Sequence, residues 1–340
     1  QGIWNIVQEL GKRRIEKNHE MTKLNKNEMI KGKVETEILY EEADGNWLRL
    51  QGHDRKKYGS SREMKIMIAY DGVKYHAQKN NTYRKELDNK VAYASFESVK
   101  NFNMHKDAVI AGKFNMDGVV LKVKNGDGAQ WIQKDVDCRT ISVLDKFHRN
   151  KKIKECIHNS EMIKTLNLLM NEEKFDEMIE CIEAYINSTE DEKEISGANE
   201  LLRYYTENKE VLSSYFERGI TIPPTREPGV IHYARLGSME SNVFTLIGNR
   251  MKGRRACWSI DGGNNLAAIL CAKYTSSLDR LFPECDLVNC AEDSKEPLSV
   301  ARCASYEGKG YEFKCNISIP SNMKWLKNIS RFKNILDFKL

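Results

Sequence analysis

The chain has 340 residues, 40% hydrophobic and 30% charged, with a mean hydropathy of −0.61, enough apolar surface for one large domain or two ordinary ones. No stretch approaches the roughly 18 apolar residues of a membrane span, and no basic-then-apolar leader opens the chain, so a cytoplasmic protein with no membrane partner is expected. Net charge is +5, but residues 151–215 hold 15 Asp/Glu against 8 Lys/Arg, net −7, which leaves +12 on the remainder; this is the distribution of a polyanion-binding body carrying an acidic module.

Residues 1–34 are basic and helical in pattern, with apolar positions Trp4, Val7, Leu10 and Ile15. The run has no cap and begins on Gln, so it is expected to be the remnant of a longer N-terminal helical region. Glu35 to Ala43 contains Ile38, Leu39 and Tyr40 and reads as a strand. Asp44-Gly45 is a turn signal, followed by Trp47-Leu48-Arg49-Leu50. Met64 to Tyr70 completes an expected three-stranded antiparallel meander. Residues 82–101 read as a helix, 119–123 and 141–144 as short strands, and a helix starts near Lys146.

Residues 160–216 change character. Phe175, Met178, Ile179, Ile182 and Ile186, then Leu201, Tyr205, Leu212 and Tyr215, recur at helical spacing. A further helix starts at Ser238, a suitable N-cap, with Val243, Phe244, Ile247 and Met251 on one face. Nine cysteines without a CxxC pair point to reduced thiols. Cys285, Cys290, Cys303 and Cys315 are poorly spaced for structural zinc. Trp325 to Leu340 is basic and amphipathic.

Three antiparallel strands, a helix and two further strands alternating with helices are the order of an α/β, RNase-H-like mixed five-stranded sheet flanked by helices, here with an all-α insertion. The core occupies 35–159 and 217–275, the insertion 160–216, and a basic tail region 276–340.

Such a sheet places carboxylates on its central first strand, at the end of its fourth strand and on a late helix. The matching residues are Asp44, Asp127 and Glu240. Three converging carboxylates suit two hard divalent ions, Mg2+ or Mn2+, about 4 Å apart. Each residue also has an ordinary use. Asp44-Gly45 is a hairpin pair, Asn125-Gly126-Asp127-Gly128 a tight turn, and Glu240 a carboxylate favoured in a first helical turn. Asp71, ending the third strand, is a rival to Asp44. Arg250, Lys252, Arg254 and Arg255 suit phosphate contacts and Trp258 could stack on a base; the same cations also suit a solvated helix end. Asp145 and His148 lie on one helix face, or are a capping Asp and a surface His.

At these residues the sequence resembles the bacterial insertion-sequence transposases of the ISLre type, distantly similar to the Mutator class. The matching segments are Glu42-Ala43-Asp44-Gly45, Asn125-Gly126-Asp127-Gly128-Ala129-Gln130-Trp131-Ile132, Leu144-Asp145-Lys146-Phe147-His148, and Glu240-Ser241-Asn242 followed by Arg250 to Ser259. The resemblance covers most of residues 35–270. It implies a DDE transposase that cleaves DNA at element ends and joins the freed 3′-hydroxyl to target DNA, with Asp44, Asp127 and Glu240 as the triad. Asp145 and His148 would then be the acid-x-x-His motif, 160–216 the insertion domain, and a homo-oligomer on DNA the working assembly. Relatives usually carry Glu where this chain has Asp71. A non-transposing nuclease of the same fold, or an inactive DNA-binding remnant, are the alternatives.

Overall fold

In the computed structural model, helix α1 (Gly2–Lys26) leads into β1 (Ile38–Leu50), which is followed by α2 (Gly52–Tyr58) and β2 (Ser61–Tyr70). Next come β3 (Gly72–Ala77), β4 (Tyr83–Asp88), β5 (Val91–Ser95), α3 (Val99–Ala111) and β6 (Leu121–Gly126). After α4 (Gln130–Gln133) and β7 (Thr140–Leu144), four helices follow α5 (Lys146–Cys156): α6 (Ser160–Asn171), α7 (Phe175–Ser188), α8 (Glu192–Glu207) and α9 (Lys209–Leu212). The short β8 (Val230–Ile231) precedes α10 (Met239–Val243), a π turn (Phe244–Gly248), α11 (Asn249–Met251), β9 (Cys257–Trp258) and α12 (Ile260–Tyr274). The described residues are 2–27, 29–77, 82–133, 138–223, 230–231, 236–253 and 255–275. They belong to one unit, residues 1–286. Arg254, the late cysteines from Cys285 onward and the 325–340 stretch lie outside them.

The main sheet runs β5-β2-β1-β6-β7, with β9 added to the far end of β1. β1, β2 and β5 are antiparallel, whereas β6 and β7 run parallel to β1. The sheet is therefore mixed, with five strands on its main path and the first of them central, as expected. Beside it, β4, β3 and β8 form a small antiparallel sheet.

Two features differ from the sequence reading. Asp44-Gly45 makes no turn: β1 continues through it, with Asp44 opposite Ile66 and Gly45 opposite Lys65. Gly45 is there because a Cβ would collide with the Glu63 carboxylate folded over it. The third sheet strand is β5, inside the segment read as helical. Its Val-Ala-Tyr-Ala-Ser run is buried at every position, so it shows no alternation to mark it as a strand.

Side-chain alternation along β1 builds three layers. Ile38, Tyr40, Leu48 and Leu50 join Ile66, Ile68 and Tyr70 on one face, beneath Met239, Leu246, Ile247, Met251, Leu266 and Leu270. Leu39, Ala43, Met67, Ala69 and Tyr93 form the other face, against Phe102, Val109 and Ile110 of α3. The Ser238 helix buries Met239, Leu246, Ile247 and Met251, while Phe244 is exposed. The expected stripe through Phe244 fails because the π turn inserts a residue. Helices α5 to α9 pack around Leu166, Met178, Ile182, Leu201 and Tyr205, in a cluster that also takes in Leu144 of β7 and Ile153 of α5.

α1 is not a free remnant. It packs on α12 and α3, and Gly11 permits the crossing because a Cβ there would overlap the Asn265 backbone. The helix buries only Gly11, Asn18 and Thr22, so few apolar anchors hold it.

On the α3 face, Glu41 is fully buried between two cations, Lys106 Nζ at 2.7 Å from one oxygen and Lys122 Nζ at 2.7 Å from the other. Burial alone would raise this carboxyl, but Lys106, Lys122 and Lys124 hold it far below the ordinary range. Removing one partner strands the others without water. Glu41→Gln is expected to cost about 3–5 kcal/mol in denaturant unfolding at neutral pH. Because the native carboxyl is depressed, its contribution is full near neutrality and erodes only as pH falls through the acid range.

Candidate active site

The parallel register aligns Glu42 with Asn125 and Asn125 with Val143. Two residues further on in sequence stand Asp44, inside β1, and Asp127 and Asp145, just past the ends of β6 and β7. His148 feels the charge of all three, so they form one row where β6 and β7 end and β1 runs on.

Each is fixed locally. Asp44 Oδ1 accepts from the Gly45 amide at 2.7 Å. Asp127 Oδ1 accepts from the Ala129 amide at 2.8 Å, and Gly128 takes φ +89°, a conformation that favours glycine. The turn is thus Asp127-Gly128, not Asn125-Gly126, which are the last residues of β6. Asp145 is the N-cap of α5: its Oδ1 accepts from the amides of Phe147 and His148 at 2.9 and 3.3 Å, and its Oδ2 accepts from Asn125 Nδ2 at 2.9 Å. Asp145 is buried and caps α5 while accepting from Asn125, so both of its oxygens are engaged.

That cap turns His148 toward the row. Its Nε2 stands 3.7 Å from Asp44 Oδ2. Burial pulls the imidazole down, but Asp44, then Asp145 and Asp127, outweigh it and leave the pKa raised. Glu63, unnoticed in the sequence, also faces this charge. Burial raises its carboxyl, Lys65 lowers it, and Asp127 and Asp44 raise it further, for a net rise. Among the described residues neither Asp44 nor Asp127 has a Lys or Arg ion pair.

Glu240 is exposed in the first turn of α10, and its side chain makes no hydrogen bond or ion pair among the described residues. What places its helix is Glu42, fully buried two residues before Asp44. Glu42 accepts from Tyr70 Oη at 2.7 Å, Asn125 Nδ2 at 2.9 Å, Gly237 N at 2.9 Å and Ser238 N at 3.1 Å. Gly237 enters the helix at φ +103°. The start of α10 is thereby pinned to the central strand beside Asp44.

Asp71 is elsewhere. It is buried at the β2 end, with Asn89 Nδ2 donating to both oxygens at 3.2 and 3.0 Å. Since Asp44 pairs with Ile66, Asp71 lies five residues, roughly 17 Å, along the strand, which removes it as a rival. Arg250, Lys252 and Arg255 are exposed. Trp258 is partly buried, with its indole Nε1 donating to the Met251 carbonyl at 2.8 Å and its ring 6.1 Å from Trp4; its contacts tie the end of α11 to β9 and α1.

The insertion touches the row directly: Tyr204 Oη donates to the Asp127 carbonyl at 3.2 Å. The carboxylates of Asp44, Asp127 and Glu240 do not gather within 4.8 Å of one another. A one-ion site would need that closeness. Two ions about 4 Å apart, each with ~2.1 Å bonds, spread their ligands more widely. Among the described residues His148 is the one basic group within ion-pair distance of Asp44 or Asp127; the excess of negative charge and the unpaired buried Asn125 Oδ1 beside it would suit divalent cations.

The family model described as "Uncharacterised protein family (UPF0236)" matches residues 1–281. The chain belongs to this family. No curated protein matches the sequence. The family description assigns no activity, so the chemistry rests on the residues themselves.

Two measurements check this geometry. In metal-free protein, His148 is expected to titrate above the ordinary imidazole value by NMR, and Asp44→Asn to bring it down further than Asp127→Asn does. The stability this group adds is full at low pH and is lost as pH rises through its raised pKa. Glu42→Gln puts an amide NH2 against donors from Asn125, Gly237 and Ser238. It should cost about 1–3 kcal/mol and raise hydrogen exchange at the start of α10 before it does so in α12.

Proposed function

We propose that the chain is the catalytic core of a DNA transposase, an RNase-H-like polynucleotidyl transferase in which Asp44, Asp127 and Glu240 hold two divalent ions, Mg2+ or Mn2+. The observation that carries this reading is the placement of Asp44, within β1, beside Asp127, just past the end of β6, with the Glu240 helix anchored nearby by Glu42. The strand order supports it, since a central first strand with antiparallel strands on one side and parallel strands on the other is the arrangement expected of this fold.

Bound ions supply activation of the attacking oxygen and stabilisation of the leaving oxygen. The protein's own groups have distinct parts. The backbone amides of Gly45 and Ala129 orient the two aspartates. His148 stands beside Asp44 and orients its outer oxygen. Arg250, Lys252, Arg254 and Arg255 contact DNA phosphates without reading sequence. The partners are transposon ends and target DNA in a cytoplasmic, homo-oligomeric complex.

Asp127→Asn keeps the oxygen that accepts from Ala129 while removing the charge. It is expected to lower Mg2+-dependent DNA cleavage below detection with little change in Tm. Normal cleavage by that variant would sink the triad assignment. A strand-transfer assay with 3′-hydroxyl ends separates the alternatives: cleavage without joining identifies a nuclease. DNA binding with steep salt dependence and no Mg2+ requirement identifies an inactive remnant.

A further inference from the structure

A second cluster of ligand-capable side chains lies away from the aspartate row, where α1, the loop after β5 and α3 meet. His19 comes from α1, Glu97 from the loop and His105 from α3. Their ligand atoms all fall within 4.8 Å of one another, and among the described residues no other group of three does so. His105 Nδ1 stands 3.1 Å from Glu97 Oε1, and His19 Nε2 stands 3.9 Å from the same oxygen. The two imidazole rings face each other with centroids 4.4 Å apart.

From these contacts we infer that His19, Glu97 and His105 form a binding site for a borderline transition-metal cation, zinc in the first instance, which clamps α1 to the core. Zinc with ~2.0–2.1 Å bonds to His and carboxylate keeps tetrahedral ligand atoms about 3.3–3.4 Å apart, so closure needs movements of well under an ångström for Glu97 and His105. His19 alone must come in, and it is the exposed member, with 47% of its side chain open to solvent. That exposure leaves an entry path and a fourth position for water. Nitrogen donors favour zinc over the hard ions that suit the aspartate row.

Two independent features support a built site. The other Glu97 oxygen, Oε2, also lies 3.0 Å from His105 Nδ1, and it is held from outside the cluster as well, accepting from Tyr93 Oη at 2.8 Å and Ser95 Oγ at 3.1 Å. Outer hydrogen bonds of this kind orient a ligating carboxylate. Burial pushes the Glu97 carboxyl up, but hydrogen bonds from His105, Tyr93 and Ser95 bring it below its ordinary value, keeping it ionised. The second feature is α1 itself, which runs 25 residues and buries only Gly11, Asn18 and Thr22. A metal bond at its middle would supply an attachment that apolar packing does not.

The test is titration of the full chain, stripped with chelator, with Co2+ and Zn2+. One Co2+ is expected to give a visible spectrum of tetrahedral nitrogen and oxygen ligation, without a thiolate charge-transfer band. Zn2+ should displace it, raise Tm by several degrees and slow amide exchange in α1. His19→Gln, on an exposed side chain that leaves the core intact, should abolish all of these, as should Glu97→Gln; Asp44→Asn should abolish none. A thiolate spectrum, binding that survives His19→Gln, or no binding with the protein folded, would each overturn the site.

Discussion

The arrangement of the candidate active site depends on one buried carboxylate. Glu42 collects four donors from three parts of the chain: Tyr70 on the neighbouring strand, Asn125 at the end of β6, and two backbone amides at the entrance to α10. A carboxylate without water needs its lone pairs filled, and here the donors that fill them must arrive from separate elements. Satisfying Glu42 therefore fixes the distance between the central strand, its parallel neighbour and the late helix. Asn125 extends the constraint by also donating to Asp145, which in turn caps the helix carrying His148. Asp44, Asp127, His148 and Glu240 each follow a member of this network closely in sequence.

Much of this was legible in the sequence and some was not, for identifiable reasons. The central place of the first strand, the helices after Ser160 and the existence of a helix after Ser238 follow from periodicity; Ser238 itself makes no side-chain cap bond, its hydroxyl accepting from Lys85 Nζ instead. Asp44-Gly45 misled because the pair favours turns locally, whereas here ten residues of pairing with β2 keep the strand straight through it. β5 was hidden because burial on both faces removes alternation. Glu42 and Glu63 were invisible because a glutamate in a strand is by default a solvated residue. Only the register shows that one is enclosed and that the other lies over Gly45 near two aspartates. Asp71 was a credible rival until the pairing of β2 with β1 gave its distance. His19, Glu97 and His105 are too far apart in sequence for any spacing rule to join them.

The two clusters also differ in what they demand of the protein. The aspartate row gathers like charges that repel one another, with His148 facing only Asp44. The His19, Glu97 and His105 group is already balanced by internal hydrogen bonds.

The π turn between α10 and α11 carries a consequence for phase. Each α-helical residue advances about 100°. Twelve residues separate Met239 from Met251, which in an unbroken α-helix would put them about 120° apart and turn one of them out of the core. With one residue absorbed in the five-residue turn Phe244–Gly248, the effective separation is eleven, and the two methionines return to within about 20° of each other. Both are buried. The turn thus acts as a vernier between the carboxylate end of this helix and its basic end. Length changes of a single residue there would re-aim Arg250 and Lys252 relative to Glu240 without altering any side chain at either end.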